Sequence, residues 1–447
     1  MATGRALALV DGEHYPAVTR WALATARAEG YEVVAALLVG GTEKLDATGR
    51  LDLGEVPVER GGSDAAATLR RAIERHRPEV VLDLSDEPIL DDAARMLLAG
   101  VTLAAGVRYV TPDASLDPPI DAAPLEVPTL AVIGTGKRTG KTAVAGEAAR
   151  TARRAGLDPV VVAMGRGGPP GPQVIEAGTL TLERLVELAR SGEHAASDYL
   201  EDALTTGVTT IGARRAGGGL AGRPYVTNVR EAAVLAEARN PGLVILEGSG
   251  AAIPPVPWDA GVLVTRPAPA GRDPAGPVLP IRVLLSDLVV FTIETGPQVG
   301  PQDLSDLESH VRRLRPGART VVVEFRPEPL GEVEGKKVLF ATTASETAGP
   351  ALTSSLQERH RCTVVAATHR LGDRAALVED LRAAPPYEVI LTELKAAAVD
   401  VAVTQATARG AGVVFCDNRA ETLGGDGELP ELLEEVARLA VERRSDR

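Results

Sequence analysis

The chain has 447 residues, of which 45% are hydrophobic and only 3% aromatic, and it carries a formal net charge of -13. This length corresponds to about two to four domains. The acidic balance argues against nucleic acid as a partner, because binding to a phosphate backbone requires a basic surface. A small anionic substrate stays open, since a local basic pocket can lie on an acidic protein.

Lysine and cysteine are scarce. The 48 basic residues comprise 42 arginines and six lysines, and two of those lysines, Lys137 and Lys141, lie four residues apart. The two cysteines, Cys362 and Cys416, have neither metal-like nor disulfide-like spacing and indicate free thiols in a reducing compartment. The sequence contains no uninterrupted apolar run of about 18 residues, the length that a transmembrane helix requires. We therefore expect a cytoplasmic protein without a membrane partner.

Short aliphatic runs alternate with amphipathic stretches rich in Ala, Arg and Glu along most of the chain. This alternation is typical of βαβ units and a mostly parallel sheet. In the N-terminal part it predicts strands at 6–10, 33–39, 80–84 and 107–110, and helices at 17–29, 65–76 and 91–99. We predict a Rossmann-like α/β domain over residues 1–124.

The pattern changes at residues 111–128, which contain five prolines and no periodicity and therefore predict a stiff linker. After the linker, the pattern predicts strands at 129–133, 159–164, 243–246, 261–265, 288–292 and 320–324, and helices at 142–156, 181–188 and 196–204. We predict a P-loop NTPase-type core with a parallel sheet over residues 125–330.

Further α/β units are predicted over residues 331–447. Their elements are strands at 337–341, 363–367, 388–391 and 413–416, and a closing helix at 430–443. The sequence leaves open whether these units extend the central sheet or form a third domain.

Residues 134–142 read GTGKRTGKT between a predicted strand and a predicted helix, the context that a phosphate-binding loop requires. Small residues let backbone N–H groups wrap phosphate oxygens, and the helix N-terminus adds its dipole. The strict pattern would place a glycine at position 135, so the loop is a variant. A purely structural turn explains it poorly, because cations at a helix start oppose the helix dipole. The expected nucleotide-binding residues are Gly134, Thr135, Gly136, Lys137, Arg138, Thr139, Gly140, Lys141 and Thr142.

Two further loops follow predicted strands and are expected at the same sheet edge, because ligand loops gather at the carboxyl ends of parallel strands. The segment EGSG begins at Glu247, and the segment GRGGPPGPQ occupies residues 165–173. Arg166 is a predicted phosphate contact, and Glu176 is a predicted Mg²⁺ ligand. A strand-end turn with a solvated Glu247 is the alternative.

Residues 207–230 reverse the overall charge, since they contain arginines and no acid. Guanidinium groups on a glycine-rich segment suit bidentate binding of phosphates. We predict an anion-binding loop with Arg214, Arg215 and Arg223 as its contacts. A flexible solvated loop is the alternative.

The presumed N-terminal strands end in acidic loops at residues 11–15, 40–44 and 83–87. Parallel neighbours would bring these loops to one rim. His14 could then donate to an anion or take part in acid–base chemistry, and the carboxylates could hold cations that bridge to phosphates. Helix caps and solvated turns are the alternative for each residue.

Four segments occur in a characteristic order: VDGEHYP at 10–16, LVGGTEKL at 38–45, IGTGKRTGKTAVAGE at 133–147 and LEGSG at 246–250. The last two resemble the dethiobiotin synthetase-like nucleotide-binding superfamily. All four together resemble the cyclic 2,3-diphosphoglycerate synthetase family, and the N-terminal segments discriminate between the two.

The resemblance implies ATP- and Mg²⁺-dependent closure of 2,3-diphosphoglycerate, a small polyanion, into a cyclic phosphoanhydride, with release of ADP and phosphate. On this reading Lys137, Lys141 and Glu247 act in catalysis and Thr142 and Glu247 lie at the metal, where Glu176, predicted from its loop position, is a further candidate. The residues expected to contact the substrate are Arg166, Arg214, Arg215, Arg223 and His14. K⁺ is an open addition to the cofactors, and a homodimer is the expected assembly. The acidic N-terminal rim would then be a lid or a metal-bridged wall.

Two other functions stay open at this point. One is an ATP-dependent ligase of the dethiobiotin synthetase type that acts on a carboxylate. The other is a non-catalytic P-loop switch that changes conformation with its nucleotide.

Overall fold

The computed structural model describes residues 4–60, 64–191, 195–267, 279–294 and 300–447. These residues form two compact units. The first unit contains residues 4–121 together with 219–223 and 279–285, and the second contains the other described residues. The predicted domain boundaries at residues 124 and 330 stay predictions.

In chain order the strands are β1 (Gly4–Asp11), β2 (Tyr31–Gly40), β3 (Val58–Arg60), β4 (Val80–Asp83), β5 (Arg108–Val110), β6 (Ser115–Leu116), β7 (Thr129–Gly134), β8 (Pro159–Gly165), β9 (Gln173–Ile175), β10 (Thr209–Ala216), β11 (Val226–Thr227), β12 (Leu243–Glu247), β13 (Ala260–Thr265), β14 (Leu288–Ile293), β15 (Arg319–Pro329), β16 (Lys337–Ala341), β17 (Thr363–Thr368), β18 (Val389–Glu393) and β19 (Gly412–Gly425).

The helices are α1 (Pro16–Ala28), α2 (Ala65–His76), α3 (Asp92–Ala104), α4 (Lys141–Arg154), α5 (Leu182–Arg190), α6 (Asp198–Thr206), α7 (Val229–Glu237), α8 (Leu279–Leu284), α9 (Pro301–Leu314), α10 (Gly349–His360), α11 (Arg374–Ala383), α12 (Thr404–Ala408) and α13 (Leu429–Ser445). A π-helical turn, Ala398–Val403, directly precedes α12. Within the described residues, no helix has the length and apolar character of a membrane-spanning segment.

The first unit is built on a sheet in the order β3-β2-β1-β4-β5-β6, whose neighbours are parallel except for β5 and β6. The order β3-β2-β1-β4-β5 matches the first five strands of the doubly wound order 3-2-1-4-5-6, which confirms the predicted Rossmann-like fold. The aliphatic run of β1 is buried on both faces, as expected for a parallel sheet covered by helices. Leu7 and Leu9 pack with Leu69 of α2, whereas Ala8 packs with Leu23 of α1.

The second unit is built on one long sheet in the order β11-β10-β8-β12-β7-β13-β14-β15-β19-β18-β16-β17, with β9 added on β10. The strands from β10 to β15 on this path are parallel, which confirms the predicted parallel core. Helices α4 and α13 cover one face, where Val144 and Ala148 meet Leu433 and Val436 over the β7 residue Val132.

The last strands extend the central sheet through an antiparallel pair, β15 with β19, which answers the question that the sequence left open. Along β15, Glu324 lies level with the carboxyl end of β14, whereas Pro329 pairs with Cys416, level with the carboxyl end of β18. The carboxyl ends of the core strands and of β16 and β18 therefore face each other. The five-residue step between these levels corresponds to roughly 16 Å.

The sequence prediction was wrong about two segments. The arginine-rich segment expected as a loop contains strand β10, because Thr210, Ile211 and Ala213 are buried beside β8. Its many glycines and arginines concealed that core pattern. The proline-rich linker contributes the two-residue strand β6, which pairs antiparallel with β5.

Candidate active site

Three loops at the carboxyl edge of the core strands line one cavity of about 670 Å³. They follow β7, β8 and β12, which are neighbours in the sheet, so the parallel direction of the strands brings them together. The residues that line the cavity and were predicted from the sequence are Lys137, Arg138, Thr139, Gly140, Lys141, Thr142, Arg166 and Glu247.

The loop after β7 has the backbone shape of a phosphate cradle. Arg138 and Gly140 both adopt the left-handed conformation, with φ of 61° and 86°, and α4 begins at the next residue, Lys141. A Cβ atom at Gly134 would lie 2.7 Å from Lys141 Cδ, so only glycine lets the lysine stem pass. Lys141 Nζ donates to the Gly136 carbonyl at 2.8 Å, which points the ammonium into the loop.

Thr142 lies beside the buried side chains of Lys141 and Glu247 at the start of α4. Thr142 Oγ1 donates to Glu247 Oε1 at 2.7 Å. Burial lowers the pKa of Lys141, against the opposing effect of the Glu247 carboxylate. Burial also raises the pKa of Glu247 to about 7, with a contribution from the charge of Asp198, while Thr142 and Lys141 act in the opposite direction.

Helix α6 adds three acids that the sequence analysis did not select: Asp198, Glu201 and Asp202. Their i, i+3, i+4 spacing, which puts them on one helix face, was the available signal. Asp198 lines the cavity. The buried carboxyl groups of Asp202 and Glu247 share a hydrogen bond, and within the described residues no other donor reaches Glu247 Oε2 or the Asp202 oxygens. Burial raises the pKa of Asp202 well above its ordinary value and that of Glu201 to about 8.

Two predicted arginines lie at the loop after β12. Arg215 Nη2 donates to the Ser249 carbonyl at 2.8 Å, and a Cβ atom at Gly250 would lie 2.5 Å from Arg166 Nη2. Burial lowers the pKa of Arg215, and the neighbouring Arg166 charge adds to this effect. Two guanidinium groups are thus held together beside the phosphate loop.

The structure does not bring Arg214 and Glu176 to this group. Successive residues of a strand point to opposite faces, so Arg214 leaves β10 on the other side from Arg215 and donates to the Pro170 carbonyl at 3.1 Å. Glu176 pairs with Arg239 and lies near Thr209 at the start of β10, the opposite edge of the sheet from the phosphate loop.

His14 and Arg223 belong to the first unit. The His14 ring lies 2.9 Å from Asp11 Oδ1, and Arg223 forms an ion pair with Asp121. The acidic loops of this unit do meet at one rim, since Asp11 Oδ2 accepts the Asp86 N–H at 2.8 Å and Gly12 N donates to Gly40. Asp11 is buried and fully used in holding these loops, so its carboxylate stabilises the rim.

The opposite wall of the cavity comes from the C-terminal strands, which the sequence analysis left without a site. The lining residues are Thr343 and Ser345 after β16, His369 after β17, Glu393 and Lys395 at the end of β18, and Asn418 in β19. Glu393 is fixed by hydrogen bonds from Thr343 Oγ1 at 2.7 Å and Asn418 Nδ2 at 3.0 Å. Burial acts to raise the pKa of Glu393. The Lys395 charge and these hydrogen-bond donors outweigh that effect and hold the pKa below its ordinary value.

Family models of cyclic 2,3-diphosphoglycerate synthetase match most of the chain. The model of the N-terminal domain matches residues 5–117, that of the P-loop domain residues 129–324, and that of the C-terminal domain residues 329–419.

Full-length relatives carry the same name. The cyclic 2,3-diphosphoglycerate synthetase of Rubrobacter xylanophilus is 44% identical over 440 residues, which cover 97% of this chain and 98% of that protein. The one from Methanothermobacter thermautotrophicus is 39% identical over 454 residues, with 98% and 97% covered. Among solved structures, LpxK from Aquifex aeolicus in complex with ATP aligns with 72% of this chain and 90% of its own, at 13% identity and a TM-score of 0.39.

Proposed function

The chain belongs to the cyclic 2,3-diphosphoglycerate synthetase family, and on that premise we propose that it uses ATP to close 2,3-diphosphoglycerate into a cyclic phosphoanhydride, with release of ADP and phosphate. The observation that carries the proposal is a single cavity in which a phosphate loop faces further cationic side chains. No observation favours the carboxylate ligase or the nucleotide switch.

The reaction requires two attacks between anions. One phosphate of the substrate attacks the γ-phosphorus of ATP, and the bond from that phosphorus to ADP breaks. The second phosphate then attacks the substrate phosphorus that carries the transferred group, which forms the ring and expels that group as inorganic phosphate. Because both partners are negative at each step, catalysis must come mainly from positioning and charge neutralisation.

The phosphate loop supplies the nucleotide side of this arrangement. The N–H groups at the start of α4 and the Lys141 ammonium, which points into the loop, would bind the β- and γ-phosphates. Lys137 lines the same cavity and would add charge beside the transferred group. Arg166 and Arg215 are then available for the substrate phosphates, and Arg166 lines the cavity directly.

The donor set at Thr142 and Glu247 fits a Mg²⁺ ion. Both offer oxygen ligands, and the buried Glu247 Oε2 has only the Asp202 carboxyl group beside it in the described part of the chain. No group of three or more His, Cys, Asp or Glu among the described residues is arranged for a metal, so nucleotide phosphates and water would complete the coordination. Bound there, Mg²⁺ would neutralise charge on the β- and γ-phosphates.

The test is a phosphorus NMR assay of the protein incubated with ATP, Mg²⁺ and 2,3-diphosphoglycerate. We expect new phosphoanhydride resonances and one ADP for each cyclic product. Lack of ADP formation on addition of 2,3-diphosphoglycerate would refute the proposal, and turnover that required a different carboxylate substrate would favour the ligase.

The homodimer, the K⁺ ion and the cytoplasmic location stay predictions. Light scattering on the purified chain tests the first, and the rate of ADP formation in K⁺ against Na⁺ buffers tests the second.

A further inference from the structure

Half of the lysines in this chain line one cavity. Lys137 and Lys141 lie on the phosphate loop, and Lys395 lies on the facing wall, although the chain holds only six lysines beside 42 arginines. A lysine ammonium is a compact point charge that suits a single phosphate, whereas arginine suits planar bidentate contacts. The placement of Lys395 therefore needs a reason beyond general basicity.

The backbone at Lys395 is that of a ligand-binding loop. Strand β16 lies between β17 and β18 in the sheet, so the chain connections diverge at the carboxyl ends of β16 and β18. Such a switch point is where open parallel α/β sheets bind their ligands. Here the crevice opens toward the phosphate loop, because the antiparallel pair of β15 and β19 turns the two sets of carboxyl ends toward each other.

Lys395 is held in place by its surroundings. Its Nζ atom lies 3.2 Å from Glu201 Oε1, and its side chain stays 31% exposed. The next residue, Ala396, has a left-handed φ of 48°, and the π-helical turn Ala398–Val403 follows. Both features cost conformational energy in an ordinary segment and are concentrated at functional sites.

Contacts of α6 connect Lys395, on the facing wall, with the loop after β8 that carries Arg166. Glu201, which pairs with Lys395, lies one helical turn after Asp198. The Asp198 carboxylate lies beside Gly165, where a Cβ atom would be 3.6 Å from Oδ2, and Arg166 is the next residue. The ends of β13 and β14 carry a separate ion pair, Arg266 with Glu294.

We propose that the Lys395 ammonium binds a phosphate group of 2,3-diphosphoglycerate from the wall that faces the phosphate loop. This assignment rests on the proposed function. The two phosphates of the substrate repel each other as the ring closes, and a cation from the facing wall offsets that repulsion. Glu201 holds the ammonium at the cavity surface, so the lysine needs little rearrangement to bind.

The test compares Lys395→Met and Lys395→Arg with Lys337→Met, an exposed lysine at the start of β16. For Lys395→Met we expect the KM for 2,3-diphosphoglycerate to rise by about 10- to 100-fold, the loss typical of one hydrogen bond to a charged group. The Kd for ADP should stay near the wild-type value. Lys395→Arg should recover part of the loss, and Lys337→Met should match the wild type.

Removal of Lys395 leaves the buried Glu201 carboxyl group without its Nζ partner, so the double variant Lys395→Met/Glu201→Gln is measured as well. The assignment would be overturned if the KM for 2,3-diphosphoglycerate were unchanged in Lys395→Met or in the double variant. It would also be overturned if the Kd for ADP rose by the same factor as that KM. If the wild type forms no cyclic product, the proposed function fails. If the wild type is active and Lys395→Met matches it, only the role of Lys395 fails.

Discussion

Gly134→Ala should weaken nucleotide binding because the added methyl group displaces the Lys141 side chain, while the protein stays folded. A Cβ atom at this position would lie 2.7 Å from Lys141 Cδ and 2.9 Å from Cγ, closer than carbon atoms can approach, so the stem must move. Displacement costs the ammonium its contact with the phosphates. One lost hydrogen bond from a charged donor corresponds to about 1.5–3 kcal/mol, which is roughly 10- to 150-fold in Kd.

The matched control is Gly317→Ala in the exposed turn before β15, where no atom would lie within 4 Å of the new Cβ. Calorimetric titration of each variant with ADP and Mg²⁺ gives the Kd, and thermal unfolding shows that both remain folded. We expect the Kd of Gly317→Ala to stay within a few-fold of the wild-type value. If Gly134→Ala bound ADP as tightly as this control, the steric argument would be refuted.

Three more results are expected. In the wild type, ADP should bind more tightly with Mg²⁺ than with EDTA. Thr142→Val should abolish this difference because it removes an oxygen ligand, and a variant that kept the difference would contradict the prediction. Arg166→Ala should raise the KM for 2,3-diphosphoglycerate about tenfold or more, whereas Arg184→Ala, on an exposed helix, should not. Glu201 has a pKa raised to about 8, so the folded state keeps a proton that the unfolded chain releases. Its contribution to stability therefore falls as the pH rises from about 4.3 to about 8, by at most about 1.4 kcal/mol per unit. Urea unfolding at pH 5 and pH 8 gives the change in the free energy of unfolding between the two pH values. This change should be smaller in Glu201→Gln than in the wild type, and an equal change in both proteins would refute the prediction.

The core strands and the phosphate loop could be predicted from the sequence because their signals are local. Strands β7, β8 and β12 are continuous aliphatic runs, and each is followed by a loop with a distinctive composition. Strand β10 could not be recognised in the same way, because Gly212 and the two arginines interrupt its buried pattern. Gly212 itself is needed there, since a Cβ atom would lie 2.8 Å from the Tyr199 ring.

The facing wall of the cavity could not be predicted because it depends on sheet order. Lys395 reaches the cavity only because β18 joins the core through β19 and β15, and no local pattern records that path. The different fates of Arg214 and Arg215 have a similar origin. The two residues are adjacent in sequence, but successive side chains of a strand point to opposite faces of the sheet. Their separation could therefore be predicted only if the segment had been recognised as a strand.

The pairing of β15 with β19 also sets how far apart the two walls can be. The distance between the walls is fixed by the number of β15 residues between Glu324 and Pro329, so the length of this strand limits the size of the molecule that can contact both walls. Deletion of two residues there would bring the walls closer by roughly 7 Å and would preserve the alternation of side chains between the two faces of the sheet. The same pairing makes the C-terminal part inseparable from the core, because a fragment without β15 would expose the long edge of β19 to aggregation.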